Sequence, residues 1–248
     1  MNLKKDINKL LIEKILDEAY GYLKNVTIID YVIGVNYVAV QTETGVGLAY
    51  NFPETKSDDC CINITELTGY SGAKIADFIY KKDFLLNSIL VATINSVLKN
   101  GQPDSTSLYE KFDFTDKVVG MVGDFKPLTK NIRDRAKRLD IFELKNIPGT
   151  IRPSFAKFLL KDTDFFIITG STFVNFTTDD FIHFVNDRCK IIFVGPTTPL
   201  SKALAELGYI AGAMVSDGEV CLNLVKKGAG MHALKNCITK MWVDKSNF

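Results

Sequence analysis

Two apolar runs rich in β-branched and aromatic residues, FFIIT before Gly170 and KIIFV before Gly195, each stop abruptly in small polar residues. The first opens into Thr169, Gly170, Ser171, Thr172 and Asn175, the second into Gly195, Pro196, Thr197 and Thr198. A short apolar run bounded by turn residues reads as a strand buried on both faces. In an open α/β sheet, ligands bind in the loops that leave the carboxyl ends of such strands. Hydroxyls, an amide and backbone N–H groups suit a polar or anionic ligand. Thr169 to Thr172 in particular has the make-up of an anion-binding nest, where glycine lets the backbone come close and successive donors face one acceptor. The same residues would also serve as a helix N-cap, which is itself an anion site.

A third junction, Gly120-Met-Val-Gly123-Asp124, carries part of a dinucleotide fingerprint without its third glycine. Glu143 follows Gly123 at about the 20-residue offset of the acid that grips a ribose hydroxyl. The alternative is a plain turn at Gly123 and a solvated strand-end acid. Asp124 and Glu143 are the candidate general bases, and together with Asp217 they could offer oxygens to a hard cation. His183 sits between apolar residues as a helix histidine would, and His232 lies in a glycine-rich tail. Cys60, Cys61, Cys189, Cys221 and Cys237 show no zinc-ligand spacing. From the first half of the chain, Gly45, Gly47 and Asn51 are placed to close over the same ligand. Asn95, within an apolar helix, needs partners either in the core or at a cleft.

The elements that must position these groups change character near residues 100–117. Before that stretch, Val26–Val35, Tyr37–Thr42 and Val46–Asn51 read as a three-stranded meander, followed by helices over Ser71–Lys81 and Phe84–Lys99. Leu3, Ile7, Leu10, Leu11 and Ile15 recur at helical spacing and predict an amphipathic helix at the start. After it, strands and helices alternate, with five strands at residues 118–125, 139–144, 165–169, 191–194 and 209–215. Crossover helices imply a parallel, doubly wound sheet. The expected fold class is therefore α/β, with a small α+β domain over residues 1–108 and a Rossmann-like domain over 109–248.

Composition narrows the function classes. The chain has 248 residues, 30 basic against 29 acidic, which gives no electrostatic case for nucleic acid or a membrane surface. Its longest apolar region, Phe84–Leu98, is too short and too polar to span a bilayer. The first residues lack the continuous hydrophobic stretch of an export signal. Five cysteines are an odd number for a disulfide scaffold, so reduced thiols in a cytoplasmic setting are expected.

Taken in order, GVGLAYN (Gly45–Asn51), the INS of residues 94–96, VVGMVGDFKPL (Val118–Leu128), DIFEL (Asp140–Leu144), Pro148-Gly149, TGSTFVNFT (Thr169–Thr177), VGPTTPL (Val194–Leu200) and Gly212 to Asp217 resemble a bacterial and archaeal family named for putative heavy-metal chelation, a domain of unknown function. The resemblance implies an enolase-N-terminal-like first half, a Rossmann-like second half, and a site between them that handles a divalent or transition metal or a metal chelate. Family members often carry histidine where this chain has Asp124, so a role for that imidazole does not transfer. The expected function is binding of a metal, a metal chelate or a small anionic ligand in that cleft. The alternative is a transferase or lyase using a nucleoside-containing cofactor such as S-adenosylmethionine or NAD. No nucleic-acid or membrane partner is expected, and a homo-oligomer is compatible with this reading.

Overall fold

A computed structural model describes residues 9–52, 66–81 and 83–248. The helix positions Leu3 and Ile7 and the thiols Cys60 and Cys61 lie outside the described residues. In chain order the elements are α1 (Leu11–Leu23), β1 (Asp30–Ile33), β2 (Tyr37–Thr42), β3 (Gly45–Tyr50), α2 (Gly72–Ala76) and α3 (Phe84–Val97). Then come β4 (Gln102–Pro103), α4 (Leu108–Lys111), β5 (Val118–Val122), α5 (Lys126–Arg133), β6 (Arg138–Phe142) and α6 (Ala156–Leu159). The chain finishes with β7 (Phe165–Thr169), α7 (Thr178–Ile182), β8 (Lys190–Val194), α8 (Lys202–Ala205), β9 (Gly208–Val215), α9 (Gly218–Lys226), α10 (Met231–Leu234) and β10 (Ile238–Val243).

The meander is present as an antiparallel sheet in the order β1-β2-β3. Both of its faces are buried, and alternation along the strands sorts the side chains. Val38, Val40 and Ala49 face the main core with α3, whereas Ala39, Val46 and Leu48 pack on Cys221, Leu222 and Val225 of α9. The glycine of β3 exists for the first of these contacts. A Cβ on Gly47 would lie 2.0 Å from the Ala92 carbonyl oxygen of α3, so only glycine lets strand and helix approach.

The large sheet runs β4-β10-β9-β8-β7-β5-β6. The five expected strands pair in parallel, from β6 through β5, β7 and β8 to β9. Two antiparallel strands extend it beyond the sequence expectation: β10 on β9, and β4 on β10. The Gly-Pro stretch read as a break between halves thus supplies an edge strand. Proline is tolerated there because an edge has no ladder bond to lose on its outer side. Within β7, Phe165 and Ile167 enter one apolar cluster with Ile132 of α5, and Phe166 and Ile168 enter another with Leu160 and Phe181. Helices on both faces explain why this strand reads as a continuous apolar run.

α1 lies across the two halves, burying Leu11, Ile12, Ile15, Ala19 and Leu23. The Asp179 carboxylate, in the first turn of α7, accepts from the Leu11 N–H at 3.0 Å. Glu18 of α1 in turn accepts from Ser201 Oγ at 2.5 Å and from the N–H groups of Lys202 (2.9 Å) and Ala203 (3.1 Å), satisfying the start of α8. Each helix start receives its carboxylate from the other half of the chain, which fixes their relative position through otherwise orphan donors.

Two glycines separate close packing from helix propensity. Gly47→Ala should lower stability by about 1–3 kcal/mol through overpacking against α3. Gly21→Ala, within α1 and with nothing within 4 Å of the added carbon, should raise it by about 0.5–1 kcal/mol. Urea denaturation midpoints check both, and shifts of the same sign would contradict the assignment.

Candidate functional site

Among the parallel strands, the order reverses beside β5: the chain leaves β5 for β6 on one side and returns to β7 on the other. The carboxyl ends of β5 and β7 therefore diverge around a crevice, the place where open α/β sheets hold ligands. Gly123 ends β5 with φ at +87°, and its missing Cβ would sit 3.5 Å from Thr169 Cγ2 at the end of β7. Two adjoining cavities occupy this position. The larger, about 780 Å³, and the smaller, about 190 Å³, share Tyr50, Gly123, Thr169 and Ser171 in their walls.

The smaller cavity is lined by Asp124, Gly170, Gly195, Pro196 and Thr197, with Tyr37 and Tyr50 reaching it from the small sheet. Gly170 is obligatory because a Cβ there would lie 2.3 Å from the Thr198 backbone nitrogen; the loops after β7 and β8 are pressed together. Gly195, at φ +100°, makes the turn that lets Thr198 N–H bond back to its carbonyl at 3.1 Å. Asp124 accepts from Thr129 Oγ1 at 2.9 Å, which holds the carboxylate at the mouth of β5. Burial, and after it the neighbouring Tyr50, pushes the Tyr37 phenol up to about 12, so it remains a hydrogen-bond donor throughout the physiological range.

In the larger cavity, Glu143 at the end of β6 is folded onto its own loop, accepting from Leu144 N–H at 2.8 Å and Lys145 N–H at 3.2 Å. Asn175 accepts from Thr177 Oγ1 at 2.7 Å, leaving its amide hydrogens as the groups it can offer. The hydroxyls after β7 are partly committed to their own turn. Ser171 Oγ lies 3.2 Å from Thr169 Oγ1, while Thr172 donates to the Thr169 carbonyl at 2.8 Å and accepts from Thr178 at 2.7 Å. The free capacity is therefore smaller than the count of hydroxyls suggests.

The structure brings together Asp124, Glu143, Gly123, Thr169, Gly170, Ser171, Thr172, Asn175, Gly195, Pro196 and Thr197 around the two cavities. It places the other expected residues elsewhere. Gly47 packs on α3, and Gly45 lies beside Lys99, where burial lowers the ammonium pKa. Thr198 is buried and donates to the Val194 carbonyl at 2.8 Å. Asp217 caps α9, accepting from Val220 N–H at 3.0 Å. Asn51 donates to the Gly34 carbonyl at 2.6 Å and secures the end of β3 behind the cavity wall. Asn95 answers the question posed by its sequence: its amide donates to Leu48 O at 2.8 Å and to Thr197 O at 3.1 Å, tying the small sheet to the loop after β8.

Missed from sequence were the aromatic walls. Tyr50, Phe52 and Phe84 line the larger cavity from the first half, and Phe142, Phe181 and Phe184 line it from the second. Aromatic residues in apolar runs look like core; only the Tyr-Asn-Phe ending of the third strand, polar in its middle, hinted at an exposed edge.

A heavy metal prefers thiolate and imidazole donors. Among the described residues no group of three or more His, Cys, Asp or Glu could hold a metal ion. Cys189 is pushed up to about 12 by burial and the nearby Asp164, and burial drives Cys221 higher still, so neither is a ready thiolate. Hydroxyls, amides and single carboxylates in the two cavities do not fit a directly coordinated heavy-metal ion.

Two family models, both described as "Putative heavy-metal chelation", match residues 13–98 and 111–244. Among solved structures, a protein of unknown function from Desulfitobacterium hafniense is 23% identical with a TM-score of 0.80, covering 94% of this chain and 98% of its own. A second, from Pyrococcus horikoshii, is 20% identical with a TM-score of 0.81, covering 94% and 99%. Both belong to the family matched at residues 111–244, and at this identity the likeness establishes the fold. No curated protein matches the chain. No helix of the described residues is long and apolar enough to cross a membrane.

The Tyr37 shift sets an alkaline signature. A phenol whose folded value is raised stabilises the protein fully below its ordinary value of about 10, and that contribution is lost as pH rises toward 12. Melting temperatures should therefore fall more steeply between pH 10 and 12 in the native protein than in Tyr37→Phe. Parallel slopes would remove Tyr37 from its buried setting.

Proposed function

This chain belongs to the "Putative heavy-metal chelation" family, and from that premise we propose that it binds a small organic anion or a preformed metal chelate in the crevice beyond β5 and β7. The observation that carries this reading is the pair of adjoining cavities at the reversal of strand order, with polar groups on shared walls. Their donor set suits the oxygens of a ligand better than a bare ion. The Thr197 hydroxyl and the Asn175 amide would meet an anionic group, joined by Ser171 and Tyr37 as their hydroxyls turn from Thr169 Oγ1 and Met231 Sδ. At their own positions, away from those donors, Asp124 and Glu143 would favour amine or hydroxyl substituents of the ligand.

The halves matched by separate models, 13–98 and 111–244, support reading residues 1–108 and 109–248 as two domains that close on this ligand. A nucleoside-containing cofactor is the second reading. It is favoured by the position of Glu143, at the end of the strand next to β5 and in the wall of the larger cavity, where a ribose-binding acid stands in dinucleotide folds.

Thermal denaturation separates these readings. Nickel citrate should raise the melting temperature by several degrees, as binding to the native state alone requires. Nickel chloride should leave it unmoved, and Ser171→Asp, which sets a negative charge on the wall shared by both cavities, should abolish the citrate effect. Stabilisation by S-adenosylmethionine or NAD that disappears in Glu143→Ala would select the cofactor reading. Stoichiometric uptake of the bare cation, insensitive to Ser171→Asp, would overturn the first.

A further inference from the structure

We infer that the ligand of this crevice has a flat aromatic ring system as its body and an anionic substituent as its head. This inference rests on the crevice being the binding site and goes on to name the class of molecule. Its ground is the aromatic lining of the larger cavity, which comes from both halves of the chain.

On one side, Tyr50 and Phe52 meet edge to face with centroids 4.9 Å apart, and Phe52 continues to Phe84 at 5.7 Å. On the other, Phe142 and Phe181 lie 5.9 Å apart, and Phe184 follows one helical turn after Phe181. Tyr50, Phe52 and Phe84 hold one another in orientation, Phe142 and Phe181 form the buried backing of the second wall, and Phe184 packs edge-on against His183 with centroids 5.3 Å apart. A space of about 780 Å³ between the two walls is large enough for a conjugated ring system and falls in the range of organic-ligand sites. Flat rings gain from offset or edge-on contact with aromatic side chains beyond their area burial. An aliphatic chelate such as citrate would leave the half-buried rings of Tyr50, Phe52, Phe84 and Phe184 facing water or a poorly fitting chain.

The head belongs in the smaller cavity. At about 190 Å³ it is roughly a quarter of the size of the larger cavity, and it opens from the shared residues Tyr50, Gly123, Thr169 and Ser171. Its remaining lining is Gly170, Gly195, Pro196, the apolar Phe125 and Val194, the Thr197 hydroxyl and the neutral Tyr37 phenol, with Asp124 as the one carboxylate among the described residues. Thr197 Oγ1 already accepts from Tyr50 N–H at 2.9 Å, so its own hydrogen is left to donate. A phosphate or carboxylate of the ligand would take that hydrogen and, in place of its long contact with Met231 Sδ at 4.0 Å, the hydrogen of Tyr37. Asp124 opposes a second charge and limits the head to one anionic group.

Two sources carry this shared chemistry: a nucleotide heterocycle, and an aromatic chelator holding a metal. Flavin mononucleotide probes the first, the nickel complex of bipyridine dicarboxylate the second, and nickel citrate is the aliphatic control. At least one aromatic probe should bind about tenfold or more tighter than citrate by titration calorimetry. Phe84→Leu and Phe184→Leu, which keep apolar volume while removing a ring, should each weaken it about fivefold or more. Flavin fluorescence should be quenched on binding if that probe is accepted. Which aromatic probe is preferred identifies the source.

Citrate binding as tightly as either aromatic probe, or ring affinity unchanged in both leucine variants, would overturn the ring assignment while leaving the crevice in place. Failure of all three probes to bind, with Ser171→Asp indistinguishable from the native chain, would overturn both.

Discussion

Thr197 is the residue on which the two halves of the molecule meet. Its hydroxyl accepts from the backbone of Tyr50 and its carbonyl accepts from the Asn95 amide, which also holds Leu48. These bonds draw the end of β3 and the last turn of α3 onto one turn after β8. Tyr50 consequently stands in the walls of both cavities, and the crevice has a wall from each half of the chain. The capping of α8 by Glu18 of α1, and of α1 by Asp179 of α7, fixes the same relation. Asp179 does so at a cost, because burial raises its carboxyl pKa and the Leu11 N–H offsets only part of that.

Much of this was legible in the sequence. The three strands of the meander and the five parallel strands are legible as β-branched and aromatic runs, four of them (β1, β5, β7 and β8) stopping at a glycine, since strands buried on both faces need apolar residues throughout. The loops after β5, β7 and β8 were legible for the same reason, as the places where those runs stop. β10 was not, because ITKMWV carries a lysine and follows a glycine-rich tail, and its place depends on pairing with β9 far from any local signal. β4 was hidden by Pro103, whose usual meaning inside a sheet is exclusion.

The site itself was read with a bias toward polar residues. Gly45 and Gly47, expected to close over the ligand from the first half, lie instead beside Lys99 and against the backbone of α3. Asp217 and Thr198 look like site groups by type, yet one caps a helix and the other closes a turn. The aromatic walls went unseen because nothing in a linear pattern distinguishes a ring facing a cavity from a ring facing the core. Only tertiary placement puts Phe84 and Phe184 on opposite sides of one space.

The burial of both faces of the small sheet bears on how the chain is made. Ala39, Val46 and Leu48 find their cover in α9, nearly two hundred residues later, and a Cβ on Gly34 would meet the Val225 carbonyl oxygen at 2.4 Å. Until Gly218–Lys226 leaves the ribosome, the meander keeps one apolar face uncovered. The first half of the chain therefore emerges first and completes last. Contacts of such long sequence separation slow folding and prolong the exposure of sticky surface. Handling of the nascent chain, rather than stability of the finished one, is where this topology makes its demand.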